Sequence, residues 1–205
     1  MAKKSRKEAE KTRLSIIDAA LALFYEKGFA TTSLEQIASQ AGVTRGAVYW
    51  HFKNKNDLFI SLASEMESST GIDPAAWLDH DAISDLDDLK KSLVGYLGHL
   101  ESNEKLKKYY EILIYKTEFT DELAPVISSE RQKLRSALTL LKATFKKMQA
   151  GGAVGEDLDP DDAALLVYAS VWGVVETWLF DPENFSLSAK AEELIALLLR
   201  GMAPG

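Results

Sequence analysis

The sequence predicts an all-α fold in two parts, and three observations carry that reading. Apolar residues recur at spacings of three and four along most of the 205-residue chain, with no strand-like alternation and no internal repeat. Glycines, prolines and capping residues interrupt that period often enough to give about nine helices. The third observation is a pair of short amphipathic helices with a tight turn between them, in SLEQIASQAGVTRGAVYWHFKNK, Ser33 to Lys55.

In this pair Ser33 caps the first helix, and Gln36 completes a capping-box pattern. Leu34, Ile37, Ala38 and Ala41 share one face, and Gly42 is a natural left-handed stop. Thr44 caps the second helix, where Val48 and Phe52 lie four apart and face inward. Arg45 and Tyr49 then point elsewhere, with Gly46 and Trp50 beside them. This is the helix-turn-helix layout, whose second helix enters a DNA major groove. Arg45 is the candidate base reader, because a guanidinium pairs bidentately with guanine O6 and N7. Gly46 and the small Ala47 leave room for DNA. Thr32, Ser33, Tyr49, His51 and Lys55 are placed as phosphate donors, and Thr44 joins the set at the same end. Trp50 packs either on sugar and thymine methyls or as a brace of the domain.

The other elements follow in order. KKSRK (Lys3 to Lys7) is a basic arm for phosphates or the minor groove, or a solubilising end. The first helix runs to about Glu26, with Ile16, Ile17, Ala20, Leu21 and Phe24 inward and Gly28 ending it. Asn54 caps a fourth helix from about Lys55 to Ser69, and Thr70 to Ala82, with Gly71 and Pro74, marks a boundary. Residues 1–55 are thus the DNA-reading module and 56–205 the body, with the fourth helix passing between them. Ser84 caps a fifth helix to about Leu100, with Leu86, Leu89, Leu93 and Leu97 inward. A sixth covers Glu104 to Lys116. After a break at Thr117 to Pro125, a seventh reaches about Gln149 on a stripe of Leu134, Leu138, Leu141 and Phe145. Asp159 and Pro160 form a cap and first position for the eighth helix, to Leu179, which is apolar on most sides. Leu187 to Arg200 is the ninth.

Charge is divided as the elements are. Residues 1–60 carry ten Lys/Arg against six Asp/Glu, whereas the remainder carries 14 against 25, within a net charge of −7. A basic module on an acidic body directs a polyanion to one end. There is no cysteine, hence no disulfide or thiolate site. The three histidines, His51, His80 and His99, have no metal-ligand spacing, and no nucleophile motif or phosphate-cradling loop occurs. Neither an enzyme nor a cofactor is expected. Nor is a membrane partner, since no uninterrupted apolar run reaches the roughly 18 residues of a span and no signal peptide is apparent; the expected location is cytoplasmic.

Thr31 to Phe59, TTSLEQIASQAGVTRGAVYWHFKNKNDLF, resembles the DNA-binding signature of the TetR-type transcriptional repressors. So does EKTRLSIIDAALALFYEKGF, Glu10 to Phe29. The N-terminus MAKKSRKEAEKTR, EILIYKTEFTDELAPV (Glu111 to Val126) and GVVETWLFDPENFSL (Gly173 to Leu187) resemble the AcrR-like branch, whose members repress multidrug efflux pumps. The resemblance implies a homodimer through helices 8 and 9, a double-stranded operator, a phosphate contact at Lys55, and an inducer pocket among helices 4 to 8. Within apolar helical text, Glu67, Glu111, Glu118 and Glu176 stand near Tyr115, Phe119 and Trp172. Carboxylates beside aromatics suit a hydrophobic, cationic inducer, whereas the bland reading is a solvated charge on each helix. Tyr115 replaces what is more often a histidine in that branch. The alternatives are a TetR-type regulator of lipid or aromatic metabolism, and a helical protein-interaction module without DNA binding.

Overall fold

A computed structural model describes residues 2–71 and 77–203, with side chains in the first helix from Arg6 onward. Among the described residues the regular elements are all helical. They are α1 (Ala2–Lys27), α2 (Leu34–Gln40), α3 (Arg45–His51), α4 (Lys55–Thr70), α5 (Leu86–Ser102), α6 (Glu104–Tyr115), α7 (Ala124–Ala150), α8 (Pro160–Phe180) and α9 (Leu187–Leu199). Short 3₁₀ turns occupy Asp121–Leu123 and Arg200–Met202. The all-α expectation of about nine helices agrees with this. Of the arm KKSRK, Arg6 and Lys7 are exposed on α1, and the side chains before them lie outside the described residues.

The chain divides into two compact units, Met1–Thr70 with Lys105–Ser128, and Gly71–Glu104 with Ser129–Gly205. All of α4 therefore belongs with the helix-turn-helix, and the expected division at Lys55 falls inside the first unit. Apolar spacing identifies a helix but does not say which neighbour covers it. Here α4 turns Leu58, Phe59 and Leu62 into the same core as α1.

In the first unit the five α1 residues expected inward are all buried. Phe24 of α1, Phe29 of the following turn and Phe59 of α4 form a trio with ring centroids 5.1–5.8 Å apart. Tilted and edge contacts of this kind suit the aromatic quadrupole. The turn is built for close approach: Gly28 sits at φ +86°, and the Thr31 and Thr32 hydroxyls donate to carbonyls at the end of α1. The α6 end returns to this place. The Phe29 N–H donates to the Lys116 carbonyl (3.0 Å), and the Lys116 ammonium donates to the Tyr25 carbonyl (2.7 Å).

In the second unit α9 packs on α5 through Leu187, Ala191, Ile195 and Leu199, a stripe of period four. Glu101 of α5 closes the N-terminus of α9. Its carboxylate accepts from the backbone N–H of Leu187 and of Ser188, both at 2.8 Å, and from the Ser186 hydroxyl. Two details differ from the sequence expectation. Asp85, not Ser84, caps α5, because its carboxylate reaches the N–H groups of Asp87 and Asp88 at 2.9 Å. On α7 the buried line runs through Lys133, Ala137, Leu141, Thr144, Phe145 and Met148, leaving Leu134 and Leu138 half-buried. The polar members of that line have partners: Lys133 donates to Glu130, and Thr144 meets His80 Nδ1. Among the described residues α8 is long and apolar enough to cross a membrane by length and composition, although no unbroken apolar run reaches that length. Core helices of globular proteins meet the same criterion, and α8 buries Val167, Val171, Val175 and Trp178.

Glu101 ties α9 to pH. Burial pulls its pKa up, but the bonds from Ser188, Leu187 and Ser186 outweigh that and hold it below the usual glutamate value. A carboxylate so lowered contributes stability above its unfolded pKa and loses it as pH falls through the folded one. Glu101→Gln should therefore be less stable than wild type at pH 7. In urea unfolding over a pH series, that difference should shrink below about pH 4.

Candidate nucleic-acid interface and effector cavity

The local chemistry of α2 and α3 orients the reading face. Ser33 Oγ accepts from the Gln36 N–H, and the Gln36 side chain accepts from the Ser33 N–H at 2.8 Å, completing the capping box. Gly42 takes φ +67°, and the Val43 N–H returns to the Ala38 carbonyl, which closes the turn. Thr44 accepts from the Ala47 N–H and starts α3. Val48 and Phe52 are buried, so the remaining faces of α3 turn outward: Arg45, Gly46, Tyr49 and Trp50 are exposed and Ala47 is half-buried. Trp50 is 73% exposed, which removes the reading of it as a buried brace.

Arg45 lies across its own helix. Its Nη2 stands 3.0 Å from Glu35 Oε1 and donates to the Tyr49 hydroxyl at 3.3 Å, with the guanidinium 5.3 Å from the Tyr49 ring centroid. His51 is half-buried, edge-on to Trp50. Burial first, then the Arg13 charge, pulls its pKa below the ordinary histidine value, against a smaller pull from Glu10. At neutral pH it is a neutral imidazole with one N–H to offer a phosphate, rather than a cation.

Two expected phosphate donors are engaged inside the protein. Thr32 is buried, its hydroxyl donating to the Gly28 carbonyl at 2.8 Å. The Lys55 ammonium donates to the carbonyls of Phe29 (2.7 Å), Ala30 (3.0 Å) and Thr32 (2.9 Å), and it lies 4.6 Å from the Phe29 ring centroid. An ammonium has three N–H donors, and these bonds use all three. Partial burial also lowers its pKa. The expected phosphate contact thus gives way, in this conformation, to a clasp between the start of α4 and the α1–α2 turn. A lysine beside a helix start reads as a phosphate site in sequence, because the carbonyls of a turn 23 to 26 residues earlier are not visible there.

The seven expected inducer contacts do not gather into one cavity within either unit. Glu67, Glu111, Tyr115, Glu118 and Phe119 belong to the first unit. There Glu111 pairs with Lys116 at 3.8 Å, while Glu118, Tyr115 and Phe119 are exposed. Trp172 and Glu176 belong to the second, where Glu176 is exposed and Trp172 lines a small cavity of about 30 Å³. Trp77 and Leu78 before α5, Leu93 and Tyr96 of α5, Ala137 and Leu141 of α7, and Val167, Tyr168 and Val171 of α8 complete that lining. Its described residues include no carboxylate and no cation. Burial, then the Glu130 charge, raises the Tyr168 pKa, so this phenol stays neutral. Trp77 reaches its place over Gly95, where an added Cβ would meet the indole at 3.2 Å. The pair Tyr168 and Trp172, four apart on α8, was the sequence signal for this cavity.

A second feature lies on the outside of α8 and α9. Leu165, Leu166, Phe180 and Leu197 are all more than half exposed, and a groove between the two helices is lined by Gly173, Val174, Phe185, Leu194 and Leu197 among others.

Comparison with known proteins accords with this geometry. Residues 16–62 match the family described as bacterial regulatory proteins, tetR family, and residues 84–204 match the MAATS-type transcriptional repressor, C-terminal region. The HTH-type transcriptional regulator AcrR of Shigella flexneri is 36% identical over 97% of this chain and 93% of its own. The crystal structure of NalD, the secondary repressor of the MexAB-OprM multidrug efflux pump in Pseudomonas aeruginosa, superimposes with a TM-score of 0.82. It is 34% identical over 96% of this chain and 98% of its own. SmeT, the repressor of the Stenotrophomonas maltophilia multidrug efflux pump SmeDEF, matches in its triclosan complex with a TM-score of 0.77 and 28% identity, over 94% of this chain and 92% of its own.

Two variants separate scaffold from reader. An added Cβ at Gly46 would meet nothing closer than Thr44 Oγ1 at 3.9 Å, so the free protein does not require glycine there. Gly46→Ala should raise unfolding free energy by up to about 1 kcal/mol through helix propensity, while weakening DNA binding because the backbone can no longer approach. Lys55→Met should cost roughly 2 kcal/mol by stranding three carbonyls. It should weaken DNA binding without changing the salt slope, whereas a phosphate contact would flatten that slope by about one. Urea unfolding and fluorescence anisotropy at several salt concentrations measure both.

Proposed function

Because the chain belongs to the tetR family of bacterial regulatory proteins, with a MAATS-type repressor C-terminal region, we propose that it represses a multidrug efflux operon as a homodimer. A small apolar inducer entering the cavity of the second unit releases it. The observation that carries this reading is the exposed Arg45, Tyr49 and Trp50 face on a helix rooted by Val48. Arg45 reads a guanine. Ser33, Thr44, Tyr49 and His51 hold phosphates, Gly46 and Ala47 admit the backbone, and Trp50 packs on sugar or a thymine methyl. Thr32 and Lys55 support these groups from behind. The efflux target is supported by the relatives, which are named as repressors of such pumps over nearly the full length of this chain. A repressor acts where the chromosome is, so a cytoplasmic location belongs to this reading.

The exposed leucines and Phe180 on α8 and α9 support dimerisation through those helices. A two-fold pair places two readers roughly 34–36 Å apart on a palindrome. For the inducer, the apolar lining with two phenols supports a neutral aromatic molecule. A cation would lose its hydration there without a carboxylate to repay it. The same lining favours a second reading, a regulator of lipid metabolism with an acyl effector.

The test begins with selection of bound duplexes from a random library by the wild-type protein. The complex is then titrated with a chlorinated diphenyl ether, an acridine-type cation of similar size, and a long-chain fatty acid. The neutral aromatic should release the DNA at micromolar concentration, and the cation should need at least about tenfold more, because an unpaired buried charge is costly. Release by the fatty acid alone would establish the metabolic reading, and failure to enrich any duplex would leave the protein-interaction module. Leu197→Asp should sediment as a monomer and lose the selected duplex. A wild-type monomer would remove the two-half-site arrangement.

A further inference from the structure

The guanidinium that reads DNA is occupied before DNA arrives. Glu35, the second residue of α2, holds Arg45 Nη2 at 3.0 Å, and Tyr49 shares the same nitrogen at 3.3 Å. Bidentate recognition of guanine needs two guanidinium N–H groups aimed into the groove along one plane. Each two-donor edge of a guanidinium takes one N–H from Nη2, and Glu35 and Tyr49 between them engage that nitrogen, so a guanine must displace one of the two. Both side chains are more than half exposed, 63% for Arg45 and 51% for Glu35, so the pair is a surface one that opens readily.

We propose that Glu35 is a built-in competitor for Arg45 that tempers operator affinity. The inference rests on Arg45 being the reader. A complex in which guanine takes the Nη2 N–H that faces Glu35 gives up the Glu35 pair. A non-specific complex, held by other phosphate contacts, can leave the pair closed. The cost therefore falls mainly on the operator complex. Glu35 thus lowers the affinity an inducer must overcome, and it holds Arg45 away from chance phosphates. Two surroundings keep the carboxylate ionised. Its own backbone N–H and the Ser33 hydroxyl, ahead of the Arg45 charge, hold its pKa below the usual glutamate value.

The test uses full-length protein, the duplex selected by wild type, and a scrambled duplex of the same composition. Glu35→Gln should bind the selected duplex about two- to fivefold tighter, the range of an exposed ion pair. The scrambled duplex should gain less, and the gain should fall at high salt as the pair is screened. In an Arg45→Ala background, which should itself lose roughly 10- to 100-fold on the selected duplex, Glu35→Gln should bring little gain. Glu35→Asp, with a shorter reach, should fall between wild type and Gln. Unchanged affinity of Glu35→Gln, or an equal gain with and without Arg45, would overturn the proposal while leaving the repressor reading intact. An Arg45→Ala protein that binds like wild type would overturn both.

Discussion

The first unit depends on one ammonium group. Lys55 gathers the carbonyls of Phe29, Ala30 and Thr32 onto the first residue of α4, above the ring of Phe29. Carbonyls at the end of a helix and in the turn after it have no backbone donors of their own. Stranding them in a partly buried turn would cost more than the desolvation of one lysine. The clasp therefore fixes the point where α1 ends, α2 begins and α4 enters. Ser33 caps α2 one residue beyond the last of those carbonyls, so the orientation of the reading pair follows from it. Lys116 repeats the device from α6, donating to Tyr25 four residues before Phe29 and accepting from the Phe29 N–H.

Around that junction the protein keeps strong interactions inside and weak ones at the surface where DNA is read. Val48, Phe52, Phe24 and Phe59 are buried and hold α3 by packing that barely responds to salt. Among the described residues Arg45 is held by an exposed carboxylate and a phenol, contacts that water and salt weaken. In the proposed function Arg45 moves from protein to base without unfolding its support, and this division of strengths permits it. The second unit makes a similar division. Glu101 and the Leu187–Leu199 stripe fasten α9 to α5 inside, while Leu165, Leu166 and Leu197 stay uncovered outside.

The helix-turn-helix was legible because its determinants are local. A capping box, a left-handed glycine and an inward pair four apart lie within 23 residues and involve only neighbours in the chain. The clasp was not legible, since Lys55 and its acceptors are separated by a helix pair, and a lysine at a helix start looks the same whether it faces phosphate or carbonyl. The cavity was half legible. Trp172 lines it, whereas Glu67, Glu111, Glu118 and Glu176, which stand near aromatics in sequence, are not among its lining. Which carboxylates face a cavity depends on helix rotation, and α7 shows how far rotation escapes the pattern: buried Lys133 and Thr144 displace Leu134 and Leu138 because Glu130 and His80 satisfy them.

The amino-acid sequence by itself determined the helices, nearly all their ends, the exposed face of α3 and the class of the protein. The first three come from backbone preferences and periodicities that act within a few residues, and the class from the resemblance of Thr31 to Phe59 and the segments around it to the TetR-type repressors. The tertiary structure decided the rest: that α4 and α6 join the DNA-reading unit, that Lys55 and Thr32 are spent inside it, that Arg45 is paired with Glu35, and that the cavity is lined by phenols and apolar groups. Each of these depends on which groups far apart in the chain can be packed and paired together. That is settled by three-dimensional packing, because every buried donor and acceptor must be satisfied at once.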